Sequence, residues 1–383
     1  MRSVIEELPA SKIRELANAA MGRDDVLAFW FGESDEPTSA VIRAAAVQSL
    51  AQGETFYSHN LGMPELREAL SAYTSALHGE LAANRIAVTS SGVNALMLAA
   101  QALVGAGEEV VAIVPVWPNI TAQPTILGAH VTRVALKVQD GAWRLDMAAL
   151  LDAITDRTKM LLVNAPNNPT GWTLTRAEQQ TILAHCRRTG TWIVADEVYE
   201  RIFFGAGTNC APSFLDIAGE ADRLVVVHSF SKSFLMTGWR LGWVVAPPKM
   251  VESLGKLIEF NTSCAPVFVQ RAGLAALADA DRVVPDLTQR LRACRDTLLP
   301  QLAALPGVEV ASPEGGMYAF FRVAGQHDSL AFAKRLVAQA GLGLAPGIAF
   351  GPEAEGWLRW CFASKDPARL TLGAQRLAGA LGL

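Results

Sequence analysis

Seven short apolar runs, rich in β-branched residues, recur between positions 86 and 246 and constrain the fold more than any other feature. They are Ile86–Val88, Val110–Val114, Val131–Leu136, Met160–Val163, Trp192–Ala195, Leu224–Val227 and Trp243–Ala246. Runs this short and this apolar, Val131–Leu136 with its Thr132 and Arg133 excepted, are strands buried on both faces. Most are separated by stretches long enough for a helix. That βαβ rhythm predicts an α/β fold: a mostly parallel seven-stranded sheet with helices on both faces. Ligands of such sheets bind beyond the carboxyl ends of the strands, so the residues that follow each run carry the functional information. A chain of 383 residues also has room for a smaller second unit. The expected division is an N-terminal arm with part of the small domain over 1–39, a large domain over 40–283, and a C-terminal small α+β domain over 284–383.

The loop after Leu224–Val227 holds one lysine, Lys232, with Ser229 three residues before it and Arg240 eight residues after it. A lysine desolvated among aromatics has a lowered pKa and attacks carbonyls. A serine and an arginine beside it suit a phosphate. An aldehyde that also carries a phosphate is pyridoxal 5′-phosphate (PLP). Taken alone, an ordinary loop lysine accounts for the stretch equally well. Ser91, Gly92 and Val93 open an Ala/Leu-rich helix after the first run. Free N–H groups and the helix dipole favour an anion there, and a plain serine N-cap is the competing reading. Trp117 follows the second run, where it can stack on a flat ring or fill the core. Trp192–Ala195 runs straight into Asp196, a carboxylate whose burial is costly unless a cation faces it. A protonated pyridine nitrogen is such a cation.

These segments closely resemble the class I/II aminotransferases of fold type I. The match is carried by Thr89-Ser-Ser-Gly92, Asn164-Ala-Pro-Asn-Asn-Pro-Thr-Gly171, Asp196-Glu-Val-Tyr199 and the stretch from Ser229 to Trp243. A tyrosine before a Gly-x-Pro turn, Tyr57 to Pro64, and the C-terminal run Trp357-Leu-Arg-Trp-Cys-Phe-Ala363 extend it over nearly the whole chain. The resemblance implies PLP held by Lys232, with Ser91, Gly92, Val93, Ser229 and Arg240 at its phosphate. Trp117 would stack on the ring, Asn168 and Tyr199 would meet the ring oxygen, and Asp196 the ring nitrogen. Tyr57 would reach across a homodimer to the partner's phosphate. Gly32, Arg359 and Asn168 would border the substrate, Arg359 gripping its α-carboxylate. Gly32 opens Gly-Glu-Ser-Asp where many relatives have Gly-Glu-Pro-Asp. The resemblance also implies that the strand near 243 runs antiparallel, and that the reaction is ping-pong transamination between an amino acid and a 2-oxo acid. A PLP-dependent carbon–sulfur β-lyase on the same fold is the alternative.

Composition narrows the partners. The formal net charge is −4 with both signs scattered, which disfavours nucleic acid or an anionic membrane. No DNA-binding segment or basic face supports a regulator built on this fold. Mean hydropathy is +0.23, yet no apolar run reaches the length of a membrane span. Glu6 and Glu7 follow Arg2 with no hydrophobic signal region, so a cytoplasmic location is expected. The five cysteines include no CxxC pair and are expected to be reduced, and the six histidines form no HExxH, so no metal is expected. Gly105-Ala-Gly107 precedes a strand and lacks a third glycine, which excludes a dinucleotide loop. Residues 9–20 suggest a helix that only packs, through Ile13 and Leu16, and Leu27 begins a strand running to Gly32.

The donor is expected to have a neutral, apolar or aromatic side chain. A second carboxylate needs a second cation, and the stretch Leu257 to Val269 contains no arginine or lysine. Some of Phe29, Trp30 and Phe31 are expected to line the pocket. Lys256, Arg271 or a residue remote in sequence would have to reach the site for an acidic donor.

Overall fold

The computed structural model describes residues 1–383. Fifteen strands fall in the order β1 Leu27–Ala28, β2 Ile86–Thr89, β3 Glu109–Val114, β4 His130–Ala135, β5 Lys137–Gln139, β6 Ala142–Arg144, β7 Thr158–Asn164 and β8 Trp192–Asp196, then β9 Leu224–Ser229, β10 Gly242–Val245, β11 Val308–Val310, β12 Tyr318–Val323, β13 Leu342–Gly343, β14 Ala345–Pro346 and β15 Trp357–Cys361. The helices are α1 Ser3–Glu6, α2 Lys12–Ala19, α3 Ala40–Ala51, α4 Pro64–His78, α5 Gly92–Leu103, α6 Pro118–Ile126 and α7 Met147–Ala153, then α8 Arg176–Thr189, α9 Pro248–Asn261, α10 Val267–Ala278, α11 Ala280–Ala303, α12 Ser329–Ala340 and α13 Ala368–Ala380.

All seven expected runs join one sheet, in the order β2-β10-β9-β8-β7-β3-β4. Five neighbouring strands, β9 to β4, pair in parallel, and β10 pairs antiparallel with both β2 and β9. Side chains alternate between two apolar layers. Val111, Ile113, Leu161, Val163, Ile193, Val226 and Val245 face one layer, while Val110, Ala112, Val114, Leu162, Val194, Val225 and Val244 face the other. Period-2 alternation thus feeds two cores at once, which is why the runs show no polar stripe.

Local signals set the helix ends. Pro64 takes the first position of α4, with Glu65 in the first turn. Thr175 and Glu178 form a capping box at the start of α8, and Gly190 ends that helix at φ 73°. β11, β12, β15 and β14 form a four-stranded antiparallel sheet, and β12 and β15 contribute Phe320, Phe321, Trp357 and Trp360 to the larger core. No helix is long and apolar enough to cross a membrane.

Three details differ from expectation. The strand expected from Leu27 to Gly32 is only two residues long. Phe29 donates to Gly343 but its carbonyl accepts from Cys361, so the backbone leaves one ladder for another strand. The sequence suggests a long helix over roughly 283–303 with Pro285 near its start; α11 begins three residues earlier, at Ala280. The hairpin β5–β6 was not foreseen, although Asp140-Gly141 at its tip, with φ 50° and 72°, is a type I′ signal.

Candidate active site

Beyond the carboxyl ends of the sheet strands lies a cleft of about 560 Å³. Eleven of the thirteen residues singled out from the sequence line it: Gly32, Gly92, Val93, Trp117, Asn168, Asp196, Tyr199, Ser229, Lys232, Arg240 and Arg359. Ser91 is buried behind it as the N-cap of α5. Tyr57 lies outside it, 88% exposed on the single chain.

Lys232 follows β9 in the turn between that strand and β10. Its Nζ donates to the Gly32 carbonyl at 2.7 Å and lies 5.5 Å from the Tyr199 ring centroid. Desolvation lowers its pKa to about 8. Roughly a tenth of this amine is therefore unprotonated at pH 7, far more than for a lysine at its ordinary value, and the free form is the nucleophile. Gly32 has no room for a side chain, because a Cβ there would meet the Tyr318 hydroxyl at 2.2 Å.

One end of the cleft is shaped for an anion. Ser91 caps α5 by accepting from Asn94 N at 3.1 Å, while the N–H groups of the first turn remain free of helix partners. Ser91 sits at φ 113°, a costly backbone for a non-glycine residue, of the kind that clusters at functional sites. Ser229 Oγ donates to Ser231 Oγ at 2.9 Å beside it. Arg240, held at φ 56°, bonds only the Thr237 carbonyl, and burial lowers its pKa. Gly242 lets β10 touch this helix start: a Cβ would meet Gly92 N at 2.7 Å and the Ser91 carbonyl carbon at 2.8 Å. Helix dipole, free N–H groups, hydroxyl and guanidinium together fit a phosphate.

Asp196 ends β8 and is 3% exposed. Its carboxylate accepts one hydrogen bond, from Val198 N at 3.3 Å, and burial pushes its pKa up to about 7. A buried carboxylate so poorly satisfied fits a cationic donor such as a protonated ring nitrogen. Tyr199 Oη bonds Tyr318 Oη at 2.6 Å, and burial raises both phenols.

Arg359 sits in β15 and is 2% exposed, so it is no surface salt bridge. Nη1 donates to Asn168 Oδ1 at 2.9 Å and Nη2 to the Trp30 carbonyl, while buried Nε has no partner. Its guanidinium lies over Tyr318 at 4.5 Å and Phe350 at 4.9 Å. No carboxylate of the chain neutralises it, which suits a carboxylate ligand.

Behind Asp196 is a buried ionic network. His78 bonds Asp216 at 2.7 Å and Glu200 at 3.0 Å. Burial disfavours its charged form, yet those two bonds carry its pKa up to about 11. Glu197 accepts from Ser213 Oγ at 2.5 Å and Phe214 N at 3.2 Å, and burial raises it to about 8. Glu197, Glu200 and His228 offer ligand atoms within 4.8 Å of one another, a juxtaposition the sequence did not suggest. The carboxylates there are engaged by Ser213 and His78.

Several lining residues escaped the sequence analysis. Tyr318, in β12, is one of them. Trp30 and Phe31 do reach the cleft, whereas Phe29 packs on Trp360 at 5.0 Å. The expectation that residues 9–20 only pack is wrong. Ile13, Leu16 and Ala17 do pack, but the first turn of α2 also brings Ser11, Ile13 and Arg14 to the cleft. An apolar stripe marks a buried face without saying what lies beside it.

Comparison with known proteins agrees with this geometry. The family model described as aminotransferase class I and II matches residues 25–377. The aspartate aminotransferase of Pyrococcus horikoshii is 32% identical over 92% of this chain and 90% of its own. The arginine–pyruvate transaminase of Pseudomonas aeruginosa is also 32% identical, over 90% of this chain and 87% of its own. The solved structure of an aromatic aminotransferase from Pyrococcus horikoshii matches at TM-score 0.88 and 29% identity, covering 96% of this chain and 98% of that one.

Proposed function

The chain belongs to the class I and II aminotransferase family, and we propose that it moves an amino group from a neutral, apolar or aromatic amino acid to a 2-oxo acid by a ping-pong route. It is a PLP-dependent aminotransferase of fold type I. The observation that carries the residue assignments is Lys232, an amine lowered to about 8 in the same cleft as Asp196 and Arg359. PLP supplies an aldehyde carbon that takes up amines and a cationic ring that draws in the electron pair left at the substrate Cα.

Lys232 Nζ would hold the cofactor, and the same amine would take the proton from substrate Cα and return one. Asp196 would keep the ring nitrogen protonated, Asn168 and Tyr199 would meet the ring oxygen, and Trp117 would cover the ring face. Ser91, Gly92, Val93, Ser229 and Arg240 would hold the phosphate. Arg359, fixed by Asn168 and Trp30, takes the α-carboxylate bidentately beside Gly32.

The unit is a homodimer in this proposal. Phe56, Tyr57 and Phe260 are 85%, 88% and 91% exposed, and large apolar rings left in water mark an interaction surface. Tyr57 then serves the partner's phosphate. The relatives' names span aspartate, arginine and aromatic substrates, so they leave the donor open. What supports a neutral donor is the apolar wall of Ile13, Trp30, Phe31 and Leu96, together with the absence of any charged residue from Asn261 to Gln270.

Three measurements test this. Borohydride reduction followed by peptide mapping is expected to place the cofactor on Lys232; labelling of another lysine overturns the assignment. A donor panel is expected to give higher kcat/KM for phenylalanine and methionine than for aspartate. A clear preference for aspartate removes the donor proposal but not the aminotransferase. Pyruvate and ammonia from cystathionine without any acceptor would mark a β-lyase.

A further inference from the structure

Building on that reading, we propose that Arg14 determines the second substrate: it grips the distal carboxylate of a dicarboxylic 2-oxo acid, which is the amino acceptor. The cleft holds four cations, Arg14, Lys232, Arg240 and Arg359. Cofactor, phosphate and α-carboxylate occupy the last three, and Arg14 is left over. Its guanidinium lies 5.6 Å from the Phe31 ring centroid and is exposed at the cleft's edge. The acids nearest in sequence or in the cleft are engaged elsewhere. Glu15 pairs with Lys12 at 3.0 Å and Lys334 at 2.7 Å, and Glu33 accepts from Thr237 at 2.9 Å.

A ping-pong enzyme passes two substrates through one cleft. Both set an α-carboxylate on Arg359, so they differ only in what the remaining space must hold. The apolar wall suits a neutral side chain, and in that state Arg14 rests on Phe31 as a cation over a ring. With a dicarboxylic acceptor, Arg14 leaves the ring and takes the distal carboxylate through its planar fork. α2 itself is anchored by buried Ile13, Leu16 and Ala17 and by the Glu15–Lys334 pair to α12. Only the side chain has to move. The exchange balances without a redox partner: neutral amino acid plus dicarboxylic 2-oxo acid gives neutral 2-oxo acid plus dicarboxylic amino acid. By reversibility, that dicarboxylic amino acid is a donor too.

The test uses the PLP-loaded enzyme and two unreactive probes, maleate and hydrocinnamate, with dissociation constants measured by calorimetry. The ratio of their affinities is compared in wild type, Arg14→Ala, Arg14→Lys and Arg14→Glu. Expected is a fall in the maleate-to-hydrocinnamate ratio of tenfold or more for Ala, a smaller fall for Lys, and the largest for Glu. A fall of less than tenfold in Ala, or no further fall in Glu, overturns the proposal. Arg14→Lys keeps helix and charge, so misfolding of one variant does not decide the outcome. Binding is read without turnover, so a failure here is distinct from failure of the aminotransferase reading, which is absence of turnover with every donor and acceptor.

Discussion

Asp196 ends β8 and Lys232 follows the neighbouring strand β9, so both sit at one edge of the sheet, and burial moves each toward its neutral form from opposite sides. Alone, Asp196 is pushed up to about 7; a protonated ring nitrogen facing it, as proposed, would hold it ionised. Asp196→Asn removes that charge, so kcat is expected to fall by about 10²-fold or more, the scale lost with a preorganised electrostatic group, while PLP still binds. Steady-state kinetics with a retained cofactor spectrum checks it, and a kcat within a few-fold of wild type would refute the role. In the proposed role, Lys232 would attach to the cofactor only as the free amine. The rate of reconstitution from cofactor-free chain is therefore expected to climb with pH and level off above about 8, followed by stopped-flow absorbance. Lys232→Ala is expected to bind PLP noncovalently and to show no turnover.

Elements carry the next set of constraints. α5 meets the sheet through Gly92 and Gly242, and any Cβ at Gly242 strikes backbone of Ser91, Gly92 and His228 within 2.8 Å. Gly242→Ala is expected to cost about 1–3 kcal/mol of stability and to weaken phosphate retention, because backbone cannot step aside as a side chain can. Urea unfolding and PLP titration report the two effects. α4 is joined to the segment after β8 by His78. Its raised pKa means that its charged form adds stability fully below the unfolded value near 6.5, and that this contribution fades as pH rises toward about 11. His78→Gln leaves buried Glu200 without its cation, at a cost of about 3–5 kcal/mol near neutral pH. The difference from wild type in unfolding free energy is expected to shrink steadily between pH 6.5 and 9; a constant difference would contradict the charge argument.

At the scale of the whole molecule, the exposed rings of Phe56, Tyr57 and Phe260 predict association. Sedimentation is expected to show a dimer, with activity and cofactor lost on dilution to monomer. Tyr57→Phe is expected to raise the dissociation constant for PLP several-fold. A fully active monomer would remove the cross-subunit role. The N-terminal arm belongs with the far end of the chain in space: β1 pairs with β13, and Arg359 in β15 bonds the Trp30 carbonyl.

Amino-acid pattern alone determined the seven-stranded sheet, its apolar faces and most of the cleft, since strand periodicity and turn chemistry are local. Asp196, Lys232 and the α5 N-terminus each end or begin an element, and such positions are written in consecutive residues. Arg14 and Tyr318 were not legible as site residues. Nothing within a helix stripe or a buried strand says which distant surface it meets. Only the tertiary structure brought α2 to the cleft's edge, placed Tyr318 against Tyr199 and gathered His78, Glu200 and Asp216 into one buried network. Those contacts join residues 119 to 138 positions apart, and their energies come from packing and desolvation, which depend on the assembled fold rather than on any local run of sequence.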